Sequence, residues 1–190
     1  MDRETICQTA LALFNEKGYN AVKVQDICDA CSITKPTFYH YVSSKEELII
    51  HFYDDVTLRL TENLSSIIDA DNHWEQFLIC FETLLTESVR MGPDLSSQMF
   101  IVNLKENRHS FDRRTYLTNI MVTIIRKAQR SGQVKNTADP EALYEAAAYL
   151  FTGYEVMWCI RKGNMEWKKR MRRSLEAMFQ VDPAFCMKQE

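Results

Sequence analysis

Ile33-Thr34-Lys35-Pro36-Thr37-Phe38-Tyr39-His40-Tyr41 decides the fold. Thr34 is placed to cap a helix, and Pro36 falls in its first turn, where a missing N–H costs nothing. The stretch therefore predicts a short helix from about Lys35 to Tyr41. Its outer face would carry Lys35, Thr37, Tyr39 and His40, hydrogen-bonding and aromatic residues that are unusual on so short a helix. Upstream, Val24 to Cys31 reads as another short helix, with Ser32-Ile33-Thr34 as the turn between them. Two short helices joined by a tight turn present the second to a DNA major groove. Ile27, Ile33 and Phe38 supply the apolar wedge behind it.

With its flanks, Gly18-Tyr19-Asn20-Ala21, Val24-Gln25-Asp26-Ile27 and Ser44-Lys45-Glu46-Glu47-Leu48, this stretch resembles the N-terminal domain of the TetR family of transcription regulators. Beyond that first quarter, the chain is similar to the family only in length, helical pattern and order of helices. The resemblance implies that Gln25, Lys35, Pro36, Thr37 and His40 touch bases or groove edges, with Thr34 among the DNA-binding residues. It implies that Lys23, Tyr39, Tyr41 and Lys45 touch phosphates. Three positions depart from the family. Ser32 stands where the turn usually has Gly, so a left-handed backbone there would be costly. Val22-Lys23 replaces the usual hydroxyl pair and removes a cap, and Gln25 stands where Arg is common, which alters base preference.

Outward from this segment the pattern stays helical. Asp2 is placed to cap a first helix that carries Ile6, Ala10, Leu13 and Phe14 and ends at Lys17-Gly18, a basic residue followed by a glycine stop. Ser44-Lys45-Glu46-Glu47 reads as a capping box, with Ser44 capping the Glu47 amide and Glu47 reaching back. It opens a long helix with apolar residues at Leu48, Phe52, Val56, Leu60, Leu64 and Ile68. Asn72-x-x-Glu75 caps the next helix, with a stripe of Trp74, Phe77, Leu78, Phe81 and Leu85, ended by Gly92-Pro93. Further helices are expected over about Asp94 to Glu106, from about Phe111 to Gly132, from Asp139-Pro140-Glu141 to Lys162, and from about Met165 to Phe179. The reading is all-α, about nine helices with no strand. It divides into a helix-turn-helix DNA-binding head over residues 1–46 and a larger regulatory and dimerising body over 47–190.

Composition narrows the function. The chain of 190 residues is 46% hydrophobic and 26% charged, as an ordinary soluble protein is. Its net charge of −3 argues against a protein that coats nucleic acid generally, so any grip on DNA must be local. Residues 1–50 hold more Asp and Glu than Lys and Arg, so binding must rely on placement. No apolar run approaches membrane-spanning length, and Met1-Asp2-Arg3-Glu4 opens into a polar helix rather than a secretory leader; a cytoplasmic protein is expected. Six scattered cysteines read as reduced, buried thiols. Cys28-x-x-Cys31, with redox or metal work as the alternative, is better read as packing, since no second Cys or His cluster completes a zinc site. Neither a metal nor a cofactor is expected. A Gly-rich phosphate loop and a nucleophile elbow are both missing, which leaves an enzyme without support.

The body offers two candidate sites. Trp74, Phe77, Phe81, Phe100, Tyr116, Tyr154 and Trp158 would wall an effector pocket, with Glu155 as its polar anchor for a cationic or hydroxyl-bearing small molecule; plain core, or a Glu155 ion pair, is the alternative. The helix from Pro140 is apolar on more than one face and needs a partner. With the last helix it would form a four-helix bundle in a homodimer, through Leu143, Ala147, Leu150, Trp167, Met171, Leu175 and Met178. The basic run Arg161, Lys162, Lys168, Lys169, Arg170, Arg172 and Arg173 reads as a solvated face or, alternatively, a docking surface. Together these point to a ligand-gated repressor acting as a dimer on a palindromic operator. The rival is a DNA-bound coactivator or nucleoid factor controlled by a protein partner.

Overall fold

The structure, a computed structural model, describes residues 2–50, 64–111 and 115–187. Phe52, Val56 and Leu60, expected on the stripe of the long fourth helix, lie outside them, as does His51. Among the described residues the regular structure is helical: α1 (Arg3–Lys17), α2 (Val24–Cys31), α3 (Lys35–Tyr41), α4 (residues 45–50), α5 (Leu64–Asp69), α6 (His73–Lys105), α7 (Thr115–Arg130), α8 (Pro140–Ile160) and α9 (Trp167–Phe179). A 3₁₀ turn follows at Pro183–Phe185, and Val134 and Val181 form an isolated antiparallel bridge. No described helix is long and apolar enough to cross a membrane.

The helix ends follow from side chains expected to make them. Asp2 accepts the Thr5 N–H at 2.8 Å, Asn72 accepts the Glu75 N–H at 2.9 Å, and Asp139 accepts from Glu141 and Ala142 at 3.1 Å each. At α4 the box differs from expectation. Ser44 does cap the Glu47 amide at 3.1 Å, but the Glu47 carboxylate reaches Ser43, taking its N–H at 2.7 Å and its hydroxyl. It also binds Arg3 at 2.6 Å, tying the start of α1 to α4. Gly92 breaks α6 with φ 79° and ψ 160°, a left-handed φ that side chains rarely adopt, so the helix has two limbs as Gly92-Pro93 suggested.

The chain forms two compact units, and they do not follow a single cut near residue 46. One gathers Met1–Leu58 with Glu87–Ser110; the other gathers Arg59–Thr86 with Phe111–Glu190. The part of α6 from Glu87 onward belongs with the head, and polar bonds on both sides of Gly92 join it to the end of α1 and the turn after it. Asp94 accepts the Tyr19 N–H at 2.8 Å, and the Asn15 amide donates to the Arg90 carbonyl at 3.3 Å.

The other unit is built on an aromatic ladder. Trp74, Phe77 and Phe81 lie on one face of α6, with ring centroids 5.2 and 4.8 Å apart. The ladder continues through Phe151 to Trp167 and ends on Trp158, while Phe179 closes against Trp74 and Phe77. Tyr154 and Ser174 join α8 to α9 by a hydroxyl pair at 2.8 Å. The chain after α9 is tied back to the α7–α8 connection by the valine bridge and by Lys135–Asp182 at 2.8 Å.

Candidate nucleic-acid interface

α2 buries Ile27, Cys28 and Cys31 and packs on α1 and α3. The turn that follows places Ser32 at φ 54°, ψ 42°, the left-handed conformation expected to be costly without glycine, about 1–2 kcal/mol for an ordinary residue. Thr34 caps α3, its oxygen 3.4 Å from the Thr37 N–H and 2.8 Å from the Thr37 hydroxyl. Phe38 has no exposed surface and anchors the helix, with Tyr39 edge-on against it at 5.4 Å. This leaves Thr34, Lys35, Pro36, Tyr39 and His40 exposed and Thr37 and Tyr41 half-buried. His40 and Tyr41 meet edge to face at 5.2 Å. A buried anchor thus carries an outward polar face on a helix only seven residues long.

On α2, Lys23 and Gln25 are exposed. Lys23 supplies no side-chain cap; instead Asp26 accepts the Lys23 N–H at 2.6 Å. Gln25 donates its amide to Asp29 at 2.7 Å. Lys45 is placed differently from the phosphate contact the resemblance implied. Its ammonium donates to the Tyr19 carbonyl and lies 3.8 Å from the centre of the Tyr19 ring. Burial holds that ammonium below its ordinary range, while Glu46, Asp94 and Asp26 act to raise it. Arg3 is paired with Glu47, so within residues 2–50 the cations left without a protein partner are Lys17, Lys23 and Lys35.

Cys28 and Cys31 are both buried, and burial raises the Cys28 thiol, which fits packing rather than reactivity. No cluster of His, Cys, Asp or Glu able to hold a metal occurs among the described residues.

The residues expected to wall a pocket separate. Trp74, Phe77, Phe81 and Trp158 are 1–5% exposed and fill the aromatic ladder, against one another and against Phe151, Trp167 and Phe179. Tyr154 is half-buried beside them, and Glu155 is buried at 1% exposure and has a partner. Phe100 lies in the other unit, and the Tyr116 side chain lies outside the described residues. Of the residues expected at a dimer interface, Leu143, Ala147, Trp167, Met171 and Leu175 are 0–5% exposed within the single chain. Leu150 and Met178 are half-buried against the same core and keep surface to bury.

Sequence reasoning missed the roles of three residues. Asp29 could have been found, since it stands four residues after Gln25 on one helix face. Tyr19 and Asp94, 75 residues apart, left no local signal.

Comparison with known proteins agrees with this geometry. The model of the family described as bacterial regulatory proteins, tetR family, matches residues 6–52. The uncharacterized HTH-type transcriptional regulator YuxN of Bacillus subtilis is 36% identical over 85 residues, which are 42% of this chain and 29% of that one. The HTH-type transcriptional repressor KstR2 of Rhodococcus jostii is 30% identical over 124 residues, 62% of this chain and 57% of that one. The chain thus spans less than two thirds of the length of either relative. In fold it is similar to Thermus thermophilus FadR, a TetR family transcriptional repressor solved with lauroyl-CoA. That likeness has a TM-score of 0.71 at 18% identity, over 99% of this chain and 97% of that one. Residues 6–52, with their helix-turn-helix, thus match the tetR family of bacterial regulatory proteins, and the all-helical body is similar in fold to solved members of that family.

Proposed function

We propose that the protein is a sequence-specific, DNA-binding transcriptional repressor that acts as a homodimer and is released by a small molecule. The observation that carries the DNA reading is α3: a buried Phe38 beneath an exposed face of Lys35, Tyr39 and His40, with Thr37 half-buried beside them. A helix of this kind enters the major groove with its N-terminal residues on base edges.

The dimer is supported by the face of α8 opposite its core. Ala142, Ala146, Tyr149, Gly153, Met157 and Ile160 form an exposed apolar stripe, with Tyr149 68% and Ile160 66% exposed. A Cβ on Gly153 would meet nothing within 4 Å, so a second backbone has room to approach. In a two-fold, antiparallel pairing along this stripe, Glu141 and Glu145 of one copy would face Arg161 and Lys162 of the other.

Release requires a ligand with different affinity for the DNA-competent and incompetent states. The body is the place for it, with Glu155 as its buried carboxylate. An acyl thioester of coenzyme A, the class held by the fold neighbour, is the first ligand to try: its arm carries hydroxyl and amide groups able to donate to a carboxylate. Selection of bound duplexes from a random pool tests the reading. It should return inverted half-sites about 10 base pairs apart, centre to centre, whose retention falls on adding ligand. Recovery of unrelated duplexes would refute it.

A further inference from the structure

We infer that Asp29 sets the base preference of Gln25, so that the operator carries adenine or cytosine, not guanine or thymine, where Gln25 meets it. The inference rests on the DNA-reading function proposed above. A glutamine amide has a donor end and an acceptor end, and unconstrained it can turn either toward a base. Here the choice is made within α2. The Gln25 Nε2 donates to Asp29 Oδ1 at 2.7 Å. An ionised carboxylate only accepts, so turning the amide over would lose that bond and set carbonyl oxygen against carboxylate oxygen. Both side chains are exposed, which leaves the Gln25 Oε1 to meet the groove.

In the major groove the edges of adenine and cytosine each offer an amino donor, N6 and N4. Guanine offers only the acceptors N7 and O6, and thymine an acceptor and a methyl group. An acceptor held outward therefore finds its complement on adenine or cytosine, and the second N–H of the same amide adds a bond to adenine N7. The negative charge of Asp29 acts in the same sense, because it lies behind the donor end of the amide. Asp29 acts through Gln25 and is a positioning residue; it needs no contact with DNA.

The test is selection from a random-sequence duplex pool with the full-length protein as wild type, Gln25→Ala and Asp29→Asn. Gln25→Ala locates the position read by Gln25, as the one whose preference it relaxes, by roughly fivefold or more for a good base contact. At that position the wild type should enrich adenine or cytosine. Asp29→Asn, isosteric and on the surface, can receive either end of the amide, so guanine or thymine should rise there while preferences at other positions stay. Wild-type enrichment of guanine or thymine at that position would overturn the inference, as would an Asp29→Asn profile identical to wild type. If the wild type enriches no sequence at all, the DNA-reading function itself fails, a different result from either of these.

Discussion

The head and the body use their side chains in opposite ways. In the head, the residues that carry chemistry stand outside and a few apolar ones stand behind: Phe38 has no exposure while Tyr39, next to it, is 52% exposed. In the body, the residues that looked most functional stand inside. Trp74, Phe77, Phe81, Trp158 and Trp167 are all 5% exposed or less. Polar and aromatic side chains on a short helix have few roles open to them, so their type announces their use. An apolar side chain on a helix that is apolar all round can be core, pocket wall or interface, and its type does not decide among the three.

The largest expected effect separates core from wall. Phe77→Ala removes the centre of the ladder and should lower stability by about 3–5 kcal/mol, measured by urea unfolding. His40→Ala on the reading face should change it by less than about 0.5 kcal/mol. A loss below about 1 kcal/mol for Phe77→Ala would return that ring to the wall of an open cavity.

The two faces of the last helices can be split in the same way. Ile160→Glu on the exposed stripe of α8 should move the protein from dimer to monomer in sedimentation. Leu175→Ala, in the core of α9, should instead cost about 2–5 kcal/mol of stability and leave assembly intact. If Leu175→Ala dissociated the dimer and Ile160→Glu did not, the assignment of the two faces would be reversed.

Smaller effects sharpen the picture of the head. Lys45→Ala should cost about 1 kcal/mol of stability by freeing the Tyr19 carbonyl. It should leave the salt dependence of DNA binding unchanged, because its ammonium is already bound within the protein. If Lys23 meets a phosphate in each of two heads, it should contribute roughly −2 to the slope of log affinity against log salt. A fall of about one per head with Lys45→Ala would show that Lys45 leaves Tyr19 for phosphate. Smallest is Ser32→Gly, which should stabilise by about 1 kcal/mol through relief of the left-handed turn, less a few tenths for the freedom glycine adds to the unfolded chain. Destabilisation would mean that the turn is not strained.

Much of the fold was legible because it is written in local patterns. The caps at Asp2, Thr34, Asn72 and Asp139 and the stop at Gly92 need only their immediate neighbours, and each ends a helix where its chemistry requires. The strained Ser32 turn was legible for the same reason. The joining of Tyr19 to Asp94 was not, because a backbone N–H finds that carboxylate only once the chain is folded. Nor was the fate of Lys45, since an exposed lysine in sequence carries no mark of the carbonyl it will bind. In the body, periodicity located every apolar face of α8 but gave no means to rank them. Burial ranks them, by covering Leu143 and Ala147 and leaving Tyr149 and Ile160 open.

The central claim is that the outer face of α3 reads base sequence. Equilibrium binding of the wild type and of the Lys35→Ala/His40→Ala double variant tests it most directly, each against a selected duplex and a scrambled one at fixed salt. The wild type should prefer the selected duplex by about a thousandfold or more. The double variant should fold normally, keep its weak affinity for the scrambled duplex and lose at least about tenfold of that preference. Undiminished preference in the double variant would contradict the account.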